Sequence, residues 1–179
     1  RSARLLRVED AFLRSVLPGR APGPLARRGP IGLLLDPLGL HFDPDTPSLL
    51  ESLIASPEAA AQSDEARAGI ARLIAADLSK YNGHLPGAEP PAPGYVLVID
   101  QTRNDASLLG AGRAAFLEML TAARDENPGQ RIVIRSHPET AANLRPGHFQ
   151  PEDLRPGDAF CSGPVSPWAL VGGAARVYA

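Results

Sequence analysis

The feature that most constrains the fold is a strand–helix–strand pattern in the second half of the sequence. Tyr95–Ile99 (YVLVI) is an almost continuous apolar run, which is typical of a parallel strand covered on both faces. Residues 113–126 carry apolar side chains at helical spacing and stop at Asn127-Pro128-Gly129, and residues 131–135 (RIVIR) form the next apolar run. This order predicts a βαβ unit with a right-handed crossover and therefore an α/β fold.

Shorter patterns extend the α/β prediction to the rest of the chain. Further strands are predicted at residues 31–35, 38–43, 159–162 and 176–178, with a short helix at 167–171. Thr46-Pro47 suits the start of a helix, because Thr accepts a hydrogen bond from a free N–H group and Pro fits the first helical position. Asp64 is the predicted cap of a second helix. The side chains expected on the inward faces of these two helices are Leu49, Leu50, Leu53 and Ile54, then Ile70, Leu73, Ile74 and Leu78.

Two polar segments of the first half have simple structural interpretations when taken alone. Residues 8–16 (VEDAFLRSV) suit an amphipathic helix face with a surface ion pair. Residues 79–82 (SKYN) suit a helix C-terminus, where Lys complements the helix dipole and Asn tolerates a left-handed turn.

Proline and glycine punctuate the chain near its middle. Residues 86–94 (PGAEPPAPG) are the predicted interdomain linker, with residues 1–85 in one unit and 95–179 in the other. A chain of 179 residues has room for one ordinary domain or two small, incomplete ones.

Composition excludes several classes of function. The net charge of -2 gives no broad basic surface for nucleic acid. The single cysteine, Cys161, excludes a disulfide framework or a cysteine-based metal site within this chain. The spacing of the histidines does not suggest a metal site. No apolar run reaches the length of a membrane span, and no signal peptide is visible.

Polar residues that could carry chemistry follow the two predicted parallel strands. Ligands bind beyond the carboxyl ends of strands in open parallel sheets, so residues 100–108 (DQTRNDASL) and 135–138 (RSHP) are candidates. The first segment has two carboxylates, and an Asp at the buried edge could act as a nucleophile or base, or Asp105 or Ser107 could only cap the following helix. Arg135 and His137 could bind a phosphate, or His137 could be an exposed side chain without a ligand.

Five motifs follow one another between Val8 and Glu139. They are EDAFLRS at residues 9–15, LxLDxxGxxxDxxxPSxLE at 33–51, SKYN at 79–82, VLVxxQxxxDAS at 96–107, and His137-Pro138. In this order they resemble the capsule polysaccharide biosynthesis β-Kdo transferases. The resemblance implies the Rossmann-like domains of a GT-B-type glycosyltransferase, incomplete in this chain.

The resemblance also implies an activity and its partners. Members of this family transfer Kdo from CMP-Kdo to a lipid-linked saccharide acceptor with retention, which builds the β-Kdo linker of the capsule. We therefore expect CMP-Kdo as donor substrate, no cofactor and no bound metal. The expected location is cytoplasmic, peripheral at the inner face of the inner membrane, with other capsule biosynthesis and export proteins as further partners.

Site residues carry over where the motifs match. Asp105 matches the proposed nucleophile, Glu9 the candidate general acid/base, and His137 the histidine expected at the CMP phosphate. The remaining expected donor contacts are Gln101, Arg135, Ser162 and Ser166, and the expected substrate contacts are Arg14, Lys80 and Asn82.

The sequence departs from the family pattern at several positions, one of which is Arg135-Ser136 in place of the Lys-Pro pair before the family's His-Pro motif. Ala11 replaces a glycine of the first motif, and residues 162–170 (SGPVSPWAL) lack the acidic residue of the family's nucleotide segment. An alternative is therefore a non-catalytic nucleotide- or sugar-binding or scaffolding module derived from such an enzyme. A third interpretation is an unrelated α/β hydrolase that uses Asp105 and His137.

Overall fold

A computed structural model describes residues 5–179. The strands are β1 (Arg7–Asp10), β2 (Leu33–Asp36), β3 (Tyr95–Ile99), β4 (Ile132–Arg135), β5 (Ala159–Cys161) and β6 (Ala174–Tyr178). The helices are α1 (Pro24–Arg27), α2 (Leu49–Ile54), α3 (Pro57–Ala61), α4 (Ser63–Ala75), α5 (Arg113–Asp125), α6 (Pro138–Ala141) and α7 (Pro167–Gly173). Short 3-10 turns cover Ala106–Leu108 and Pro151–Asp153.

The second half of the chain forms a parallel four-stranded sheet in the order β5-β4-β3-β6. The chain moves outward from β3 through β4 to β5, and then crosses to the other side of β3 to form β6. The predicted β3–α5–β4 unit is confirmed, as are the strands near 159–162 and 176–178 and the helix near 167–171. This order reverses direction between β3 and β6, which is the arrangement of doubly wound α/β sheets.

Both faces of this sheet are covered by apolar side chains. Val96 and Val98 of β3 pack with Phe116 and Leu120 of α5 on one face. Tyr95 and Leu97 belong to the cluster on the opposite face, which includes Leu170 of α7. The alternation of side chains along β3 therefore feeds two cores, and the expectation of a strand covered on both sides is confirmed.

The first half has no comparable core. Apart from Pro18, none of the described aliphatic or aromatic side chains of residues 5–85 is buried, whereas Ser15, Asp36, Ser48 and Ser79 are. Ile70, Ile74 and Leu78 are 52%, 48% and 38% exposed, so the prediction that they face inward is wrong for this chain. The predicted inward face of α2 is not buried either: Leu49, Leu53 and Ile54 are exposed and Leu50 is half-buried. The helical periodicity is correct, but no layer of described residues covers these faces.

The Asp36 carboxylate organises much of this first half. The β1 and β2 strands pair antiparallel, with Arg7 opposite Asp36. Beyond β2, the Asp36 carboxylate accepts hydrogen bonds from the N–H groups of Leu38 (2.8 Å), Gly39 (3.1 Å) and Leu50 (3.1 Å). The segment at 38–43 is therefore a turn, and the prediction of a strand there is wrong.

Three other boundaries differ from the sequence prediction. The strand predicted at 31–35 begins at Leu33, and Ile31 instead donates its N–H group to the Arg14 carbonyl (2.6 Å). The helix predicted at Thr46-Pro47 is capped by Ser48, because Ser48 and Glu51 form a reciprocal capping box. The N-cap of α4 is Gln62, and Asp64 lies in the first turn instead.

The two polar motifs of the first half are not helical. Residues 7–10 form β1, and the expected ion pair joins Asp10 to Arg14 across the following bend at 2.6 Å. Helix α4 ends before the SKYN motif, and the left-handed residue is Asp77 (φ 52°). Residues 79–82 run alongside the first motif, where the N–H group of Asn82 bonds to the carbonyl of Ser15.

Polar contacts connect the two halves. The Leu85 N–H group donates to the Pro164 carbonyl (2.9 Å), and the Trp168 indole N–H donates to the Leu78 carbonyl (2.8 Å). Ser166 donates its hydroxyl to the Asp77 carboxylate. The division of the chain at residues 86–94 stays a prediction.

Truncation of core and exposed side chains will test the contrast between the halves. We expect Leu120→Ala to lower the free energy of unfolding by about 2–5 kcal/mol, because it leaves a cavity beside β3. Ile70→Ala should change it by less than about 0.5 kcal/mol, because Ile70 is exposed and Ala is a better helix former. Urea unfolding of the two variants measures the difference. An equal decrease in the free energy of unfolding for the two variants would contradict the exposure of Ile70 on α4.

Acid titration will test the Asp36 turn. Burial raises the pKa of Asp36, but the surrounding N–H groups outweigh burial and lower the pKa from 3.8 to about 2. A lowered folded-state pKa stabilises the protein above pH 3.8, and that stability is lost as the pH falls through about 2. Asp36→Asn should therefore be less stable than wild type at pH 7, with a gap that narrows below pH 3.8 in urea unfolding. A gap independent of pH would contradict this account.

Candidate active site at the carboxyl edge of the parallel sheet

The candidate site lies beyond the carboxyl ends of β3 and β4. These strands are parallel and adjacent, with Ile99 opposite Arg135, so the segments that follow them leave the sheet at the same edge. Asp105 lies in the first segment and His137 in the second. The expected placement of the two motifs at one edge is therefore confirmed at the level of the backbone.

Asp105 caps the 3-10 turn at Ala106–Leu108. Its Oδ1 atom accepts hydrogen bonds from the Ser107 N–H group (3.1 Å) and the Ser107 hydroxyl (2.7 Å). Asn104 and Leu109, on either side of this turn, have φ angles of 59° and 51°. Asn tolerates a left-handed backbone, but Leu109 is strained in it, and strained residues concentrate at functional sites. The helix-cap interpretation thus describes what Asp105 does here, without excluding chemistry at its other oxygen.

The second oxygen of Asp105 faces a cation. Its Oδ2 atom lies 3.5 Å from the Arg145 guanidinium and 3.5 Å from the Thr102 hydroxyl. Burial raises the pKa of Asp105, but the hydrogen bonds from Ser107 and the charge of Arg145 outweigh burial and lower that pKa. Asp105 is therefore ionised at neutral pH, and its side chain is 35% exposed.

His137 caps α6 through its ring. The Nδ1 atom accepts a hydrogen bond from the Glu139 N–H group at 3.1 Å. Burial lowers the pKa of His137, and the Glu139 carboxylate offsets this only in part. The imidazole is therefore neutral at neutral pH. With Nδ1 as acceptor, the proton resides on Nε2, which can donate to a phosphate oxygen.

The SKYN motif brings the first half of the chain to His137. The rings of Tyr81 and His137 meet edge to face, with centroids 6.1 Å apart. Lys80 Nζ and the Arg14 guanidinium lie 5.7 Å and 5.9 Å from the centre of the Tyr81 ring. Burial, with the nearby Asp10 carboxylate, raises the pKa of Tyr81, so its phenol stays protonated. Two cations and a phenol thus accompany the imidazole.

The structure separates the two acids of the first motif. The Asp10 carboxylate pairs with Arg14 (2.6 Å) and approaches Lys80 (4.0 Å), so Asp10 belongs to the cation cluster. Neighbouring side chains of a strand point to opposite faces, and Glu9 lies with Arg7 and His41 around a shallow depression on the other face. Glu9 and Asp10 therefore lie on opposite faces of β1, with Asp10 beside Arg14 and Lys80, and the catalytic role expected of Glu9 stays a prediction.

Several expected donor contacts bind protein groups instead. The Arg135 guanidinium donates to the carbonyls of Cys161 (3.1 Å), Gly163 (2.7 Å) and Val165 (3.4 Å). The hydroxyls of Ser136 and Ser162 bond to each other at 3.0 Å. These contacts fix the loop between β5 and α7. A role of this loop in binding phosphate stays a prediction.

The remaining expected contacts also have structural partners. Ser166 caps α7 by accepting from the N–H groups of Trp168 and Ala169. The Asn82 amide accepts from the Ser79 N–H group and donates to the Ser15 and Ser79 carbonyls, which fastens the SKYN motif to the first motif. The Gln101 carbonyl lies 2.9 Å from His148 Nδ1. Substrate contacts by Asn82 and Gln101 stay predictions.

The buried Asp100 carboxylate at this edge was not singled out in the sequence interpretation. The Asp100 carboxylate accepts the His148 N–H group at 3.0 and 3.1 Å, and the His148 ring stacks on Phe116 at a centroid distance of 3.7 Å. A Cβ atom at Gly147 would collide with this carboxylate. These contacts hold the segment that carries Arg145 against the end of β3. The only sequence signal was an acid directly after a buried strand.

The described residues contain neither a metal-binding cluster nor a helix that could cross a membrane. Across residues 5–179, no three His, Cys, Asp or Glu side chains are grouped to hold a metal ion. In the same range, no helix combines the length and apolarity that crossing a bilayer requires.

Comparison with known proteins places this geometry in a family. Residues 86–152 match the family described as "Capsule polysaccharide biosynthesis protein", a stretch that includes both Asp105 and His137. The lipopolysaccharide-processing protein LpsZ of Rhizobium meliloti is 33% identical over 99% of this chain, which covers 41% of LpsZ. The capsule polysaccharide modification protein LipA of Neisseria meningitidis serogroup B is 30% identical over 83% of the chain and 21% of LipA.

Solved structures give the same result for the fold. The beta Kdo 2,4 transferase of Thermosulfurimonas dismutans KpsC matches with a TM-score of 0.77 and 33% identity, over 96% of this chain and 54% of that one. The beta Kdo 2,7 transferase of the same KpsC matches with a TM-score of 0.57 at 22% identity, over 97% and 50% of the two chains, and shows the fold alone. The chain thus spans about half or less of the length of these relatives.

The ordered motifs, the parallel sheet that carries them and these relatives agree: residues 86–152 match the capsule polysaccharide biosynthesis family, and nearly the whole chain is similar to a Kdo transferase.

Proposed function

We propose that this chain is part of a glycosyltransferase that moves Kdo from CMP-Kdo to a lipid-linked saccharide acceptor, with retention, in capsule polysaccharide biosynthesis. The observation that carries the proposal is the match of nearly the whole chain to the KpsC beta Kdo 2,4 transferase. The ionised Asp105 and the neutral His137 at one sheet edge supply chemistry consistent with it. A two-domain GT-B architecture, completed outside these residues, is part of the proposal.

The first chemical step uses Asp105. Retention is explained by two displacements at the same carbon. The Asp105 carboxylate forms a bond to the anomeric carbon, and the bond from that carbon to the phosphate oxygen breaks, so CMP leaves with the electron pair. His137 Nε2 donates a hydrogen bond to the departing phosphate, and Arg14 and Lys80 balance the negative charge of the donor.

The second step needs a base. The acceptor hydroxyl attacks the anomeric carbon, the bond to Asp105 breaks, and the hydroxyl proton passes to a carboxylate. The family resemblance assigns this role to Glu9. The geometry favours Asp10 instead, because Asp10 lies on the face that carries Arg14 and Lys80.

The partners follow from the acceptor. A lipid-linked saccharide resides at a membrane, so we propose peripheral action at the inner face of the inner membrane, together with other capsule biosynthesis and export proteins.

A second candidate is a non-catalytic module that binds a nucleotide or a sugar. The observation in its favour is that both Asp105 oxygens already have protein partners, in Ser107, Thr102 and Arg145. Such a module would bind CMP without turnover.

Substitution of the candidate nucleophile distinguishes these proposals. We expect Asp105→Asn to lower transfer from CMP-Kdo by on the order of 10⁴-fold, because an amide cannot form the covalent adduct. Asn is as good a helix cap as Asp, so the fold should be retained. Release of CMP and formation of the Kdo product are measured, with the exposed Asp64→Asn as the matched control. Unimpaired transfer by Asp105→Asn would remove the mechanism.

Calorimetric titration with CMP completes this test. The Asp105→Asn variant should bind CMP with an affinity close to that of wild type, since the carboxylate acts on the sugar and not on the nucleotide. Binding without any turnover by wild type supports the module. The absence of binding contradicts both candidates.

A pair of isosteric substitutions decides between the two neighbouring acids. Asp10→Asn should reduce kcat by about 10²–10⁴-fold, the usual contribution of a general base, and Glu9→Gln should reduce it less. Steady-state kinetics at saturating CMP-Kdo give both values. A larger loss for Glu9→Gln would restore the assignment of the base to Glu9.

A further inference from the structure

We propose that Arg145 is a positioning residue that holds the Asp105 carboxylate in place. The single positive charge of Arg145 interacts with both Asp105 and Glu139. This inference rests on the proposed glycosyl transfer, in which Asp105 attacks the sugar. Neither the motifs nor the family comparison assigns a role to Arg145.

The backbone returns Arg145 to the sheet edge after α6. Asn143 has a φ angle of 57°, and the left-handed turn it makes allows the Leu144 N–H group to donate to the Glu139 carbonyl at 2.8 Å. After Arg145 the chain is fixed again at Gly147 and His148. The Asp100 carboxylate packs against Gly147 and accepts the His148 N–H group. Arg145 is therefore anchored on both sides along the chain.

The guanidinium of Arg145 connects two segments. Its NH1 atom lies 3.5 Å from Asp105 Oδ2 and 3.5 Å from Glu139 Oε2. Its NH2 atom donates to the Arg103 carbonyl at 2.8 Å. The side chain is only 20% exposed, so these charges are screened less by water than those of a surface pair. One cation thus joins the loop after β3 to the helix after β4.

This geometry makes one guanidinium serve two carboxylates. The charged and titratable groups that face Asp105 are Arg145, Glu139 and His137 from the β4 side and Tyr81 from the first half. The positive charge of Arg145 contributes to the lowered pKa of Asp105. Removal of this charge leaves Asp105 near Glu139 without the cation between them. The Asp105 carboxylate then loses a contact that orients it, and its pKa rises.

Titration of the Asp105 carboxyl by NMR tests the proposal without any assay of transfer. The carboxyl carbon of Asp105 is followed with ¹³C-labelled aspartate and assigned by its loss in Asp105→Asn. In Arg145→Gln the titration midpoint should move to higher pH, and in Arg145→Lys it should lie between the two. Arg28→Gln, at an exposed position of the first half, is the charge-matched control and should leave the midpoint unchanged.

A second variant, in which the titration midpoint of Asp105 should shift in the opposite direction, keeps the test independent of any damage to the fold. Glu139→Gln removes the competing carboxylate and leaves Arg145 to Asp105 alone, so the midpoint should move to lower pH. Amide NMR spectra identify any variant that has lost the fold. Midpoints that stay at the wild-type pH in folded Arg145→Gln and Glu139→Gln overturn the proposal.

Kinetics then connect the positioning role to the reaction. The acid limb of the kcat profile should move to higher pH in Arg145→Gln by the same interval as the NMR midpoint, with KM for CMP-Kdo changed less than kcat. An unshifted acid limb beside a shifted NMR midpoint overturns the catalytic part of the proposal. Failure of wild type to transfer Kdo overturns the proposed function instead, and the NMR result still decides whether Arg145 controls Asp105.

Discussion

The candidate site depends on one buried carboxylate, that of Asp100. It stands directly after β3 and accepts the His148 N–H group, so the returning segment at 146–149 lies against the end of the strand. The stacking of His148 on Phe116 then ties this segment to α5. Arg145 reaches Asp105 and Glu139 only because this segment is held in place. An interaction with no part in the proposed chemistry thereby fixes the cation that the chemistry needs.

The two halves of the chain contribute different kinds of groups to the candidate site. Residues 95–179 supply a rigid parallel sheet, with the nucleophile candidate and His137 at the ends of neighbouring strands. The first half supplies charge, because Asp10, Arg14 and Lys80 gather around Tyr81, whose ring meets His137. The halves meet through hydrogen bonds from Leu85, Ser166 and Trp168 rather than through a shared apolar core. Sites between two such units are common, since each side can present a different kind of group.

The sequence predicts the parts of this molecule that local pattern controls. The strand Tyr95–Ile99 was predictable because burial on both faces requires a continuous apolar run. Helix α5 was predictable because its apolar residues recur at helical spacing. The turn after β2 was not, because it depends on Asp36 bonding to N–H groups up to 14 residues away. The site shows the same division. Ordered motifs led to the prediction that Asp105 and His137 are site residues, whereas the contacts of Arg145 with Asp105 and of Asp100 with His148 join residues far apart in the chain, which no local pattern records. The alternation of side chains in β1 would have separated Glu9 from Asp10, but residues 8–16 also fit a helix.

The exposed apolar side chains of α2 and α4 have a thermodynamic consequence. Newly hydrated apolar surface is the main source of the positive heat-capacity change on unfolding. Melting of residues 5–85 exposes no fully buried apolar cluster, so the heat-capacity change of this chain originates mainly in residues 95–179. The first half is held by polar contacts whose loss leaves only a small calorimetric signature, and a single thermal transition therefore reports mainly on the parallel sheet.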